Sequence, residues 1–184
     1  MKIKILILAL FSCLVSRGQG TRQYFDLLRA AEEVELTDSL HINVSPDIKY
    51  KLDSLDVKRW FSPLLGSSTN NRLRNRNYYL TGKITTHPNF DLLVLMEEKK
   101  KNDSISGQSV YLITTKKDGT YIASLQAAIA GTRKKSSYNT SSWLFKDYKL
   151  VLDSKMVIND KEYDDYTNYK INGTGRFILY PKTE

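Results

Sequence analysis

The stretch Phe90-Asp91-Leu92-Leu93-Val94-Leu95-Met96 constrains the fold more than any other part of the chain. Successive side chains of a strand point to opposite faces of its sheet, so a strand with one wet face alternates apolar and polar residues. This run does not alternate; apart from Asp91 it is apolar throughout. A strand of this kind sits centrally and is covered on both sides. The cover is expected from an N-terminal helix or from a second sheet.

Strand signals surround that run. Tyr78 to Thr85 is rich in strand formers, and His87-Pro88-Asn89 turns the chain. Glu97 to Gly107 reads as a charged loop leading to the strand Ser109 to Thr115. Lys116-Lys117-Asp118-Gly119 is a hairpin signal, because glycine supplies the positive φ of a tight turn. On the returning strand Tyr121, Ala123, Leu125 and Ala127 are expected to share one face. After a loop rich in Lys and Ser, Tyr148 to Ile158 reads as a long strand. Tyr163 to Ile171 and Arg176 to Tyr180 complete a meander through Asn172-Gly173-Thr174-Gly175. The predicted class is mainly β: an antiparallel meander over residues 71–184, closing as a barrel or a sandwich.

Residues 19–70 are expected to form a helical and irregular segment. Between Arg22 and Glu35, Tyr24, Leu27, Leu28, Ala31 and Val34 recur at helical spacing, opposite Arg29, Glu32 and Glu33. A short helix is predicted from Asp53 to Phe61, capped by Asp53 or Ser54, with Trp60 in the core. Pro46 and Pro63 are read as breaks, and Gly66 to Asn71 as a polar linker.

Ahead of all this, Lys2 and Lys4 precede the apolar run Ile5 to Phe11, and small or polar residues follow. That is the order of a secretory signal over residues 1–18, too short to span a bilayer. Two cuts are open. Leu10-Phe11-Ser12 before Cys13 has the form of a lipobox, which would acylate Cys13 and tether the protein to a membrane. Ser16-Arg17-Gly18 before Gln19 places small residues at −3 and −1, which favours release to the periplasm or outside the cell. Removing the first 18 of 184 residues leaves 166, enough for one core without disulfides or metal. Cys13 is the only cysteine, so no intramolecular disulfide forms. The net charge of +8 falls to +5 without Lys2, Lys4 and Arg17. Such a surplus keeps an exported protein soluble, and export points away from nucleic acid. No transmembrane span is expected.

Tyr111-Leu112-Ile113, Lys116-Lys117-Asp118-Gly119 and the ending Tyr169 to Phe177, Tyr-x-Ile-x-Gly-x-Gly-x-Phe, carry a resemblance. The chain resembles the small uncharacterised exported proteins and lipoproteins of Bacteroidota. The likeness implies an envelope setting and supplies no activity. It also makes Asp38-Ser39-Leu40, Asp53-Ser54-Leu55 and Asp103-Ser104-Ile105 look like the Asp-Ser-aliphatic O-glycosylation acceptors of those bacteria; Asp-Ser pairs equally cap helices and start turns.

Catalysis is read by exclusion. His41 and His87 are the only histidines and have no metal-ligand spacing, and no nucleophile elbow, phosphate loop or zinc-protease helix occurs. No catalytic, metal or cofactor residue is assigned. Paired carboxylates among Asp160, Glu162, Asp164 and Asp165 leave a glycan hydrolase as the alternative, although a solvated acidic hairpin explains them as well. The candidate binding surface is Arg72, Arg74 and Arg76, expected on one face of an extended segment, with Tyr78, Tyr79 and Trp143. Arginine forks beside tyrosines suit an acidic glycan or an envelope protein, and Arg133-Lys134-Lys135 would extend the surface. The expected role is a non-catalytic binding or structural module, with an inhibitor or immunity-type protein as a further alternative.

Overall fold

The structure is a computed structural model that describes residues 23–44, 50–101, 104–133 and 136–181. The signal segment with Cys13, the pair Lys134-Lys135, Pro46 and Asp103 lie outside the described residues. The first element is helix α1, residues 23–30. There follow β1 (Ser39–Ile42), β2 (Tyr50–Lys51), α2 (Ser54–Leu65), a 3-10 turn (Gly66–Ser68) and α3 (Thr69–Asn75). The remaining elements are strands: β3 (Arg76–Ile84), β4 (Asp91–Lys101), β5 (Ser104–Thr115), β6 (Tyr121–Arg133), β7 (Ser136–Phe145), β8 (Lys149–Ile158), β9 (Lys161–Ile171) and β10 (Phe177–Leu179).

All pair antiparallel in one ten-stranded sheet ordered β10-β9-β8-β7-β6-β5-β4-β3-β2, with β1 added to β7. The expectation of a closed barrel is corrected. The end strands β2 and β10 span two and three residues and are not paired with each other, so the sheet stays open. It nevertheless folds over on itself. In a flat sheet β4 and β9 would lie roughly 24 Å apart, at about 4.8 Å per strand. Asn89 Nδ2, just before β4, donates to the carbonyl of Gly173, just after β9, at 3.0 Å. Thr114 Oγ1 donates to the Gly175 carbonyl at 2.5 Å, and the Phe90 and Tyr148 rings meet edge to face at 5.6 Å. The parting begins at β6, which pairs β7 only from Ile129 to Arg133; β1 takes over the edge of β7 from Ser142 to Phe145.

Two apolar clusters result, and β4 lies between them. Leu92 and Met96 join Tyr79, Phe90, Leu112, Leu144, Leu150 and Ile171 inside the fold. Leu93 and Leu95 pack with Leu80 and Ile113 under Tyr24, Leu27 and Leu28 of α1 and Val57, Phe61 and Leu65 of α2. The apolar run is therefore covered by helices on one face and by the rest of the sheet on the other.

Local chemistry explains the elements. Asp53 caps α2, its Oδ1 accepting from the Asp56 amide at 2.7 Å. Pro63 sits inside α2 rather than ending it, and the cost is a kink at Phe61 (φ −124°, ψ 16°). The segment read as a linker from Gly66 to Asn71 is helical instead. Helix α1 ends by Ala31, and Val34 leaves its stripe to pack on the other cluster, where the Val34 amide bonds the Lys83 carbonyl at 2.8 Å. Trp60 is half-buried against Tyr24, ring centroids 5.4 Å apart. Of the charged "loop", residues 97–101 continue β4 and residues 104–107 begin β5, and the stretch rich in Lys and Ser enters β7 from Ser136. Tyr121 does not share a face with Leu125: register shifts in β6 turn Tyr121 toward the helices and Leu125 inward.

The predicted turn at 116–119 closes with Gly119 N–H donating to the Lys116 carbonyl at 2.9 Å and Lys116 N–H to Thr120 at 2.7 Å. Gly119 has φ 88°, and a Cβ there would stand 2.7 Å from both Tyr24 and Trp60. Strain and overlap act together, so Gly119→Ala should destabilise the protein by about 2–4 kcal/mol. Gly173→Ala, where nothing lies within 4 Å, should stay within about 0.5 kcal/mol. Urea midpoints of the two variants check the contrast.

Candidate binding groove

The arginine surface read from the sequence is not assembled as an open face. Residues 72–75 are helical, so the arginines do not line up along an extended strand. Arg72 of α3 and Arg76 of β3 both turn inward to one carboxylate, Glu97, which is 3% exposed. Arg72 Nη1 also donates to the Leu64 carbonyl at 2.6 Å, pinning the end of α2 to the sheet. Tyr78, opposite Glu97 in the ladder, and Tyr79 are buried on opposite faces. Only Arg74 remains exposed. Burial first, and then the Glu97 charge, raises the Tyr78 hydroxyl above its ordinary value near 10. These residues hold the helices to the sheet.

A second buried group closes the other end of β4. Asp91 Oδ1 accepts from Lys117 Nζ at 2.5 Å and Oδ2 from the Tyr24 hydroxyl at 3.1 Å; the same hydroxyl lies 2.5 Å from Thr115 Oγ1. Burial, with the Asp91 charge adding to it, raises Tyr24 as well, against the Thr115 hydrogen bond. His87 stacks on Phe90 at 3.8 Å, and burial followed by the Lys117 charge lowers it. Among the described residues no group of three or more His, Cys, Asp or Glu is placed to hold a metal ion.

Trp143, the other sequence candidate, is where a ligand can reach it. Ser142 and Leu144 bury on one side of β7, so Trp143 and Phe145 project from the other. Trp143 is 44% exposed and stacks on His41 of β1, its register partner, at 4.5 Å. The pairing extends this face through Val151 to Asn168.

The same face of β7 leads, two residues at a time, from Trp143 through Ser141 to Asn139, which lies in a groove of about 550 Å³. Its floor is a single row of register partners, Gln108, Ala130, Asn139, Lys155 and Asp164, one from each of β5 to β9. Four strand spacings make that row roughly 19 Å long. On the opposite face of the sheet the Tyr138 ring lies on Gly131, its register partner, where an added Cβ would come within 3.0 Å of it. Ser106, Thr132 and Ser137 add hydroxyls, and Val157 an apolar contact. Gln108 is oriented by donating to Glu98 Oε1 at 3.0 Å. Of the acidic cluster, Glu162 and Asp164 line the groove, neighbours on one face of β9, both exposed; Asp165 points to the other face.

No helix of the described residues is long and apolar enough to cross a membrane. Comparison with protein-family models, with curated proteins and with solved structures finds no match to the chain.

Two tests bear on the buried groups. Glu97→Ala leaves two guanidiniums facing each other without their carboxylate and should cost about 3–5 kcal/mol in urea unfolding, whereas Arg74→Ala should be near neutral. Tyr24 and Tyr78 keep their protons above pH 10 while the unfolded chain releases them. Stability should therefore hold up to pH 10 and fall beyond it, by up to about 1.4 kcal/mol per pH unit for each tyrosine. Tyr78→Phe should remove its share of that slope.

Proposed function

We propose that this chain is an exported, non-catalytic binding protein of the cell envelope whose groove takes a glycan chain. The observation that carries the reading is the row Gln108–Ala130–Asn139–Lys155–Asp164, which puts amides, an ammonium and a carboxylate along one line of one sheet face, with the Trp143 ring farther along that face. Sugars present hydroxyls that such polar groups bind and a C–H face that an aromatic ring covers. Trp143 stands on the same face of β7 as Asn139, four residues and roughly 13 Å along the strand. A chain of several sugar units reaches from one to the other. The folded-over sheet, read as a sandwich, backs that surface. The Lys2-to-Gly18 segment supports export, and either release or a Cys13 tether puts the groove where envelope glycans are. Because Arg72 and Arg76 are committed to Glu97, hydroxyl and ring contacts select the ligand, and a basic patch does not.

The hydrolase reading asks for two carboxylates flanking one bond. Glu162 and Asp164 instead lie side by side on a single strand, both exposed, and hydrogen bonding to a bound chain is the role that suits them.

The test is a glycan array with the chain beginning at Gln19, followed by calorimetry on the best oligosaccharide. Asn139→Ala and Trp143→Ala should each weaken binding about tenfold without moving the unfolding midpoint by more than a few degrees, and Arg74→Ala should leave affinity unchanged. The oligosaccharide should be recovered intact. An array without a ligand, or a ligand insensitive to both of these variants, would sink the proposal.

A further inference from the structure

At the end of the sheet away from the groove, three turns come together where the folded-over sheet meets itself. They are residues 85–90 between β3 and β4, 116–120 between β5 and β6, and 172–176 between β9 and β10. The bonds from Asn89 to Gly173 and from Thr114 to Gly175 tie them to one another. Between them lies a cleft of about 720 Å³, whose lining includes Asn89, Lys116, Lys117, Asp118, Gly173 and Arg176. Gln108 of the groove and Lys116 of the cleft are eight residues apart along β5 and its end, roughly 27 Å. The cleft is therefore a separate place on the molecule.

Its donors outnumber its acceptors. Two turns of the same build face it. In each, the fourth residue is a glycine at positive φ whose N–H donates to the first carbonyl, Gly119 to Lys116 and Gly175 to Asn172, both at 2.9 Å. The amides of Lys117 and Gly173, second in their turns, donate to nothing among the described residues. Lys117 spends two of the three donors of its ammonium on Asp91 Oδ1 and the Thr85 carbonyl, at 2.5 and 2.8 Å, and its side chain stays 43% exposed. Lys116 and Arg176 are exposed, and among the described residues neither side chain makes a hydrogen bond or an ion pair. Asp118 is the one carboxylate in the lining, and it serves its own turn, Oδ1 accepting from the Thr120 amide at 2.9 Å.

A ligand that answers these groups brings negative charge and several acceptor oxygens. A carboxylate has one charge and two oxygens. A phosphate monoester has a charge near −2 at pH 7 and three terminal oxygens. An arginine fork and the outward amides of turns both suit it. Ile122 and Pro88 add apolar wall for the organic part of the ester. We propose that this cleft binds a phosphate monoester, with Arg176 and Lys116 supplying the charge and the amides of Lys117 and Gly173 fixing the oxygens. A soluble phosphorylated molecule and the headgroup of phosphatidic acid present the same chemistry. The inference does not rest on the groove's ligand.

The experiment is calorimetry in phosphate-free buffer with the chain beginning at Gln19, titrated with phenyl phosphate and with phenylacetate. Sedimentation with vesicles of phosphatidylcholine, made with and without phosphatidic acid, runs beside it. Phenyl phosphate should bind at least about tenfold tighter than phenylacetate, and its affinity should fall as salt rises. Arg176→Gln and Lys116→Gln should each weaken it about tenfold at an unchanged unfolding midpoint, and Arg74→Gln should not. Phenyl phosphate binding that follows this pattern supports the proposal with a soluble ester as the source. Vesicle binding that needs both phosphatidic acid and Arg176, without binding of phenyl phosphate, supports it with a lipid headgroup. Equal binding of phenyl phosphate and phenylacetate, no binding to either probe or to the vesicles, or binding that Arg176→Gln and Lys116→Gln both leave unchanged would each overturn it.

Discussion

Strand β4 is buried on both faces and carries three carboxylates into the interior, and the rest of the fold is arranged around meeting them. An unpaired charge in such a place costs several kcal/mol, so each carboxylate must find a donor. Asp91 takes Lys117 from the β5–β6 turn and Tyr24 from α1. Glu97 takes Arg72 from α3 and Arg76 from β3. Glu98, on the opposite face from Glu97, takes Gln108 from β5. The partners come from both neighbouring strands and from two helices, so satisfying β4 docks the N-terminal segment and ties the central ladder at both ends. A one-residue slip of β4 would exchange the faces of Glu97 and Glu98 and strand both, which makes the register far more specific than apolar packing alone would make it.

That dependence also explains what the sequence disclosed. The doubly covered strand was legible because its hydropathy fails to alternate, and the 116–119 hairpin because one glycine sits where a positive φ is required. Helix α2 and its Asp53 cap were legible from local chemistry, since the cap bonds three residues ahead. Segments whose identity is decided by distant partners were not. Glu97 and Glu98 read as the start of a loop until Arg72, Arg76 and Gln108 are brought beside them. Strand β7 is so rich in Ser, Thr and Asn that no alternation marks it, and it becomes a strand because β8 pairs it over nine residues. Pro63 ends helices by propensity, yet Phe61 and Leu65 on either side of it bury completely and hold α2 together across the kink.

The candidate site divides along the same line. Arg72, Arg76, Tyr78 and Tyr79 looked like a binding surface because charge and aromatic rings cluster in sequence, and the structure spends them on Glu97 and the two cores. Trp143 was legible as exposed, from its polar surroundings. The groove was not legible, because its floor takes one residue from each of five strands and only register brings them together. Gly131, a small residue in a strand, marks a close approach on the opposite face instead, that of the Tyr138 ring.

Helices seal one face of β3 to β5 and the folded-over strands seal the other, which leaves the far ends of β7, β8 and β9 as open surface, where Lys155, Met156 and Tyr163 project past the core. Such an arm gains little from burial and opens more easily than the strands behind it. Its carboxylates differ from those of β4 for the same reason. Glu162 and Asp164 are exposed and keep their charge in water, so the pairing of the arm does not depend on finding them donors, whereas Asp91, Glu97 and Glu98 each require one.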